Sequence, residues 1–312
     1  MRQTLLIALL PLAAIAAETP VKPAKAAMPP TAADVAYGTH ERQVLDFYKA
    51  ASDKPTPLLF FVHGGGWTAG DKDKKTDFKA YLDKGISVVS INYRYTWQAQ
   101  VDGIHPPVKA PLEDAARALQ FVRSKAAEWN IDKTRVATTG GSAGACTSLW
   151  LAMHDDMADP KSSDPIARES TRLLCAAGTR GQTSLDPQQC KEWTPNSRYG
   201  GHAFGFMDPA SVKSRDTLFA EFLSKREELL PLIREYSPIE HASADDPPIY
   251  LIYTTLPAMG QPEKDPTHSA NYGVPLHAKL TALKVPCKLV HPGAPDTKHP
   301  TSESFLIDML KK

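Results

Sequence analysis

The feature that most limits the folds open to this 312-residue chain is a glycine-rich segment around Ser142. Gly140, Ser142 and Gly144 form a G-x-S-x-G pattern between a strand-like run and a helix-like run. Glycine permits the close backbone contacts of a sharp strand-to-helix turn, which lifts the serine hydroxyl clear of the sheet. The following helix N-terminus offers free N–H groups and a positive dipole end. The segment therefore predicts an exposed serine nucleophile, with a turn carrying a spare serine as the alternative.

A second glycine-rich segment, His63-Gly64-Gly65-Gly66-Trp67, follows the apolar run 57–62. The apolar run is typical of a buried strand, and three consecutive glycines allow backbone N–H groups to point into a cleft. The N–H groups of Gly64 and Gly65, together with that of Ala143, would form an oxyanion hole for an acyl-transfer intermediate. The two motifs in this order, each after a strand, predict acyl-transfer chemistry.

On these motifs the chain resembles the α/β-hydrolase superfamily, and specifically its HGGG-type esterase branch, which contains hormone-sensitive-lipase-like and acetylxylan- or feruloyl-esterase-like enzymes. The resemblance runs from about residue 37 to the C-terminus. Asn92-Tyr93-Arg94 matches a strand-end motif of that branch, and the segments 246–252 and 290–294 match its last two strands. The resemblance implies an α/β-hydrolase fold, with a mostly parallel central sheet and helices on both faces.

The alternation of strand-like and helix-like segments is itself typical of a mostly parallel sheet covered on both faces. A less regular segment, 155–244, is expected to form an irregular cap over the cleft, with an ordinary surface insertion as the alternative. At 42% hydrophobic residues, the chain is able to bury one large core. We therefore expect one α/β-hydrolase domain over residues 37–312.

The net charge of +1 provides no basic field, so a nucleic-acid partner is not expected. The glycines before Ser142 lack dinucleotide-binding spacing, and no His/Asp/Glu or C-x-x-C pattern has metal-ligand spacing. We expect no cofactor and no metal, and a small-molecule or carbohydrate ester as the substrate. The oligomeric state stays open, and Cys175–Cys190 is the one disulfide pairing worth testing.

The N-terminus has the composition of an export signal. Arg2 precedes the apolar run 5–10, and small residues follow as far as Ala17. The apolar run is shorter than the roughly 20 residues of a spanning helix, so no stable membrane span is expected. We predict a signal peptide over 1–17, a flexible leader rich in proline and alanine over 18–36, and a periplasmic or secreted protein.

A serine hydroxyl needs an imidazole to take its proton and a carboxylate to orient that imidazole. The esterase branch usually places its histidine after the last strand, in a P-G-x-G-H stretch. This chain has Pro292-Gly293-Ala294-Pro295-Asp296 instead, so aspartate stands at the histidine position. His299, three residues later, is the predicted base, with His291 as the alternative.

The acid also departs from the usual pattern of the branch. Thr254-Thr255-Leu256-Pro257 replaces the G-x-x-D expected after the penultimate strand. Asp265, further along the same loop, is the first candidate, and Asp186 is the second. His268 lies in the same loop as Asp265 and is able to contribute, with a place near a helix start as the alternative.

The sequence thus predicts an exported serine hydrolase of carboxylic esters, acyl esters on carbohydrates among them. Ser142 would attack the ester carbonyl, His299 would shuttle the proton, and Asp265 would orient the imidazole. A catalytically silent homologue that binds a ligand is the main alternative, because the usual histidine and aspartate motifs are missing. A peptidase of the same fold is a third reading.

Overall fold

The structure, a computed structural model, describes residues 28–72, 76–207, 214–295 and 297–312. The predicted signal peptide, 1–17, lies outside the described residues. Among the described residues, no helix combines the length and the apolar character that crossing a bilayer requires.

Eight strands of the described residues form one sheet, in the order β1-β2-β4-β3-β5-β6-β7-β8. The strands β3 to β8 run parallel to their neighbours within that group, whereas β2 is antiparallel to both β1 and β4. The strands are β1 (Ala32–Ala36), β2 (Val44–Tyr48), β3 (Thr56–Val62), β4 (Ser87–Ile91), β5 (Ile131–Gly141), β6 (Cys175–Thr179), β7 (Ile249–Ile252) and β8 (Cys287–Val290).

Helices connect the parallel strands and cover both faces of the sheet. The α-helices of the described residues are α1 (Lys79–Leu82), α2 (Thr96–Val101), α3 (Lys109–Ser124), α4 (Ala126–Trp129), α5 (Ala143–Met153), α6 (Pro187–Trp193), α7 (Arg215–Ser224), α8 (Arg226–Tyr236), α9 (Pro238–His241), α10 (Gly273–Ala282) and α11 (Ser302–Leu310).

Strand β3 places apolar side chains on both faces of the sheet. Leu58, Phe60 and Val62 pack in the core with α3, whereas Leu59 belongs to a separate cluster with Phe305 of α11. Successive side chains of a strand point to opposite faces, so a strand covered on both sides is apolar throughout. The predicted fold class, a mostly parallel sheet between helices, is confirmed.

The fold begins earlier than the sequence suggested. Residues 32–36, expected to lie in a flexible leader over 18–36, form β1 and pair with β2. The Lys72 ammonium reinforces this pairing, because its Nζ lies 2.8 Å from the Asp34 carboxylate and 2.9 Å from that of Asp46. Backbone pairing and a shared cation therefore bring this part of the expected leader into the sheet.

The segment 155–244, expected to form a cap, is not one continuous insertion. It contains β6, a strand of the central sheet, so the segment divides into a part before that strand and a part after it. The later part runs through α6, α7, α8 and α9. Side chains from this part, Arg198, Phe206 and Phe219 among them, line a cavity beside the glycine loop, as described below.

All four cysteines are free thiols. Cys175 is buried in the core cluster with α11, whereas Cys190 is buried in another cluster that includes Leu276 of α10. The two thiols thus belong to different packing layers, and the Cys175–Cys190 disulfide considered from the sequence is not formed.

Candidate active site

The turn around Ser142 depends on contact with the end of β3. An ideal Cβ at Gly140 would lie 2.4 Å from the carbonyl oxygen of Val62, and one at Gly144 would lie 2.2 Å from the same atom. Real side chains do not approach a backbone oxygen so closely. Both glycines of the G-x-S-x-G pattern are therefore required by the packing of β3 against the turn.

Ser142 itself adopts a strained backbone conformation, with φ of 55° and ψ of −125°. Its N–H donates to the carbonyl oxygen of Thr179 at 2.9 Å, and its own carbonyl accepts from the N–H of Cys146 at 3.0 Å. Strain of this kind persists where the surrounding structure fixes the backbone on both sides, and it is common at active sites. The turn holds the serine side chain at the N-terminus of α5.

A chain of two hydrogen bonds extends from the serine hydroxyl. Ser142 Oγ lies 2.9 Å from His268 Nε2, and His268 Nδ1 lies 2.8 Å from Asp265 Oδ2. Because Nδ1 faces a carboxylate, it carries the ring proton, which leaves Nε2 to accept the hydroxyl proton. This is the geometry of a Ser-His-Asp triad.

The loop after β7 brings the histidine and the aspartate together over a short span. The Asp265 carbonyl accepts from the His268 N–H at 3.2 Å, which closes a single 3₁₀ turn over Pro266–His268. Asp265 and His268 are three residues apart, so one turn places both side chains on the same side. A local turn thus supplies both the histidine and the aspartate, in place of the two separate motifs expected from the resemblance.

The structure contradicts the expectation that His299 reaches Ser142. The His299 Nε2 atom lies 3.0 Å from Asp308 Oδ2, and its backbone oxygen accepts from the Tyr250 hydroxyl at 2.7 Å. Its ring also packs edge-on against Phe305. These contacts hold His299 against α11, and the histidine beside the serine is His268.

The alternative acid and base have other partners. The Asp186 carboxylate caps α6 by accepting from the Gln188 N–H at 2.8 Å, and it receives two hydrogen bonds from Arg226, at 2.8 Å and 2.7 Å. The His291 Nδ1 atom lies 2.8 Å from the carbonyl oxygen of Pro292. Asp186 is therefore tied to the structure of α6 and α8.

Asp265 has a second partner that sequence reasoning missed. Arg180, directly after β6, donates from Nη2 to Asp265 Oδ2 at 2.7 Å. Partial burial raises the pKa of Asp265, but the hydrogen bond from His268 and the positive charge of Arg180 outweigh it, so the net shift is downward. The carboxylate therefore stays ionised at neutral pH, as an orienter of the imidazole must. No motif marked Arg180, since its role arises from the pairing of β6 beside β7.

The glycine loop lies directly against the serine turn. An ideal Cβ on Gly64 would lie 2.6 Å from the Gly141 carbonyl oxygen and 3.5 Å from Ser142 Cβ. Gly65 has φ of 114°, and its carbonyl oxygen accepts from the N–H groups of Thr68 and Ala69, each at 3.1 Å. Gly64 and Ala143 thus flank the serine from two sides, while their roles and that of Gly65 in an oxyanion hole remain predictions.

A cavity of about 430 Å³ opens beside this loop. Gly66 and Thr267, the neighbour of His268, border it on the side of the triad, and Phe206 and Phe219 line it on the side of the cap segment. His202 also lines it, with its ring 5.8 Å from that of Trp67. Burial and the positive charge of Arg215 lower the pKa of His202 to about 4, so this ring is neutral at neutral pH.

Together, the sheet order, the strained serine turn and the Ser-His-Asp hydrogen bonds define an α/β-hydrolase fold with a triad-like arrangement at the serine turn. The family model of BD-FAE matches residues 45–259, which is more than half of the chain. The chain therefore belongs to the BD-FAE family.

Relatives of known description share parts of this chain. A probable carboxylic ester hydrolase, LipM of Mycobacterium tuberculosis, is 26% identical over 232 residues, covering 70% of this chain and 46% of LipM. The versiconal hemiacetal acetate esterase of Dothistroma septosporum is 33% identical over 125 residues, covering 38% of this chain and 35% of the esterase. The match thus spans less than half the length of each of these relatives.

Two solved structures match this chain over a larger share of their own length than these relatives do. An acetyl ester-xyloside bifunctional hydrolase from Caldicellulosiruptor lactoaceticus superimposes with a TM-score of 0.58 at 25% identity, covering 80% of this chain and 76% of that one. A truncated carbohydrate esterase from gut microbiota superimposes with a TM-score of 0.64 at 19% identity, covering 90% of this chain and 96% of that one.

Proposed function

We propose that this protein is a serine hydrolase of carboxylic esters that works through an acyl-enzyme intermediate. The observation that carries the proposal is the pair of hydrogen bonds joining Ser142, His268 and Asp265, at 2.9 Å and 2.8 Å. Membership of the BD-FAE family and similarity to carboxylic ester hydrolases support it. His268 and Asp265 also supply the base and the acid whose usual motifs are missing, which removes the main reason for a catalytically silent homologue.

In the proposed mechanism, Ser142 Oγ attacks the ester carbonyl carbon while His268 Nε2 takes the hydroxyl proton. Asp265 stabilises the imidazolium that forms, and the N–H groups of Gly64, Gly65 and Ala143 hold the oxyanion. The carbon–oxygen bond to the alcohol then breaks, and His268 gives its proton to the leaving alcohol. A water molecule, deprotonated by the same imidazole, hydrolyses the acyl-enzyme and releases the acid.

For the substrate we propose small acyl esters of carbohydrates. The support is the likeness to structures described as an acetyl ester-xyloside hydrolase and a carbohydrate esterase. The cavity beside the glycine loop adds aromatic walls in Phe206 and Phe219, against which a sugar ring is able to pack. We also propose, from the N-terminal composition, that the protein acts outside the cytoplasm.

Hydrolysis of p-nitrophenyl acetate by the purified protein and by Ser142→Ala tests the reaction. The wild type should turn over the ester, and mass spectrometry of a rapidly quenched sample should detect an acetyl group on Ser142. Equal rates for the two proteins would contradict the proposal. The release of acetate from acetylated xylo-oligosaccharides then tests the substrate class. The proposed substrate class is wrong if the protein cleaves only the p-nitrophenyl ester.

A further inference from the structure

Three metal-ligating side chains meet at the far end of the helix that follows Ser142. His154 lies directly after α5, Glu235 lies in the last turn of α8, and His241 ends α9. One ligand atom from each side chain lies within 4.8 Å of the other two. The eleven residues of α5 separate this cluster from the serine by roughly 16 Å, so it is distinct from the triad.

The hydrogen bonds of both imidazoles leave one ring nitrogen of each available as a ligand. His154 Nδ1 lies 2.9 Å from the Asp155 carbonyl oxygen, and His241 Nε2 lies 2.5 Å from the Glu235 carbonyl oxygen. A carbonyl only accepts, so each of these nitrogens carries the ring proton. In a ring that carries a single proton, the other nitrogen then has a free lone pair. Metal-binding histidines are commonly oriented in this way, by donating the second N–H to a backbone carbonyl.

The contact between His154 and Glu235 needs a positive charge. His154 Nε2 lies 3.4 Å from Glu235 Oε1. With the single ring proton on Nδ1, an unprotonated nitrogen would face a carboxylate oxygen. Two lone pairs at this distance repel unless a cation lies between them or the ring is protonated. Ligands bound about 2.0–2.1 Å from a tetrahedral zinc ion lie roughly 3.4 Å apart, which agrees with the observed separation.

We propose that His154, Glu235 and His241 form a binding site for a divalent transition-metal ion, with zinc as the best fit. Two imidazoles and one carboxylate form a donor set typical of Zn²⁺, whereas Mg²⁺ and Ca²⁺ prefer oxygen ligands throughout. Solvent reaches the site, because the Glu235 side chain is 47% exposed, so water completes the coordination. This proposal departs from the expectation of no metal, which rested on spacing along the chain.

The proposed ion would tie three helices together. It would fasten α8 and α9, which lie at the end of the segment 155–244, to the C-terminal end of α5, whose N-terminal end holds Ser142. Trp150 of α5 already packs against both histidines, with ring centroids 4.6 Å from His154 and 6.3 Å from His241. A metal at this place is expected to stabilise the fold, and the proposal assigns it no part in the acyl transfer.

Zinc binding by the untagged full chain tests the proposal. Titration calorimetry with ZnCl2 should give one tight site, and excess ZnCl2 should raise Tm by roughly 2–5 °C, whereas MgCl2 should not. His241→Ala and Glu235→Gln should each weaken zinc binding at least tenfold and abolish the rise. Glu235→Gln keeps the shape of an exposed side chain, so it covers the case in which His241→Ala does not fold.

Two histidine controls distinguish this site from the rest of the molecule. His277→Ala, on α10, removes a histidine outside the cluster and should leave the zinc affinity unchanged. His268→Gln removes the triad imidazole and should also keep one zinc per chain. The proposal is overturned if the wild type binds no zinc, if Glu235→Gln binds it as tightly as the wild type, or if His268→Gln abolishes binding.

Discussion

Gly144 lies against the carbonyl oxygen of Val62 so closely that a Cβ would stand 2.2 Å from it. This contact joins the start of α5 to the end of β3, and it lets the serine turn sit beside the glycine loop that follows β3. The two sequence motifs are thus one packing unit, in which the glycines of each motif make room for the backbone of the other.

We expect Gly144→Ala to destabilise the protein by at least about 2 kcal/mol, because the methyl group would overlap the backbone of Val62 and His63. Gly141→Ala is the matched control, since a Cβ there meets only the Thr179 oxygen, at 3.8 Å. Urea denaturation followed by circular dichroism measures both variants. Similar stabilities for the two would contradict the packing account.

Asp265→Asn should lower kcat for p-nitrophenyl acetate by roughly 10³- to 10⁴-fold, because the amide is able to donate to Nδ1 and favour the wrong tautomer of His268. Asp186→Asn is the comparison, since it loses the ion pair with Arg226. We expect this second variant to lose stability while it keeps kcat within a few-fold of the wild type. Comparable losses of kcat in both variants would contradict the role of Asp265 in orienting His268.

Acid should destabilise the wild type more than His202→Gln. The folded-state pKa of His202 is about 4, below the ordinary histidine value of 6.5. Between these values the unfolded chain binds a proton that the folded protein does not, so stability falls as the pH falls. From pH 7 to pH 4.5, the wild type should lose roughly 2 kcal/mol more unfolding free energy than the variant, because about two pH units of this range lie below the unfolded pKa. Parallel losses in urea titrations would contradict a lowered pKa for His202.

The α/β-hydrolase scaffold could be predicted from the sequence, because local signals determine it. Each strand of the parallel part was visible as an apolar run, and the glycines at 64, 140 and 144 are dictated by backbone contacts that any sequence with this turn must allow. The start of the fold was missed because β1 is short and rich in alanine. Its place in the sheet depends on pairing with β2 and on the distant Lys72 ammonium.

The histidine that acts as the general base could not be assigned from such local signals. His299 and His268 both follow strands at the correct edge of the sheet, and the resemblance to a branch that places its histidine after the last strand favoured His299. Which histidine reaches the serine depends on the path of the 253–268 loop and on the Arg180 side chain that fixes Asp265. One sequence signal for the correct pair was available. Asp265 and His268 are three residues apart, and a single 3₁₀ turn brings side chains at this spacing into contact.

The most direct test of the account compares His268→Ala with His299→Ala in the same assay, with labelling of Ser142 by a fluorophosphonate probe as the second readout. His268→Ala should lower kcat/KM for p-nitrophenyl acetate by roughly four to six orders of magnitude and abolish rapid labelling. His299→Ala, which loses its contacts with Asp308 and Phe305 on α11, should stay within about tenfold of the wild type. Full activity in His268→Ala, or its loss in His299→Ala alone, would contradict the assignment of the base.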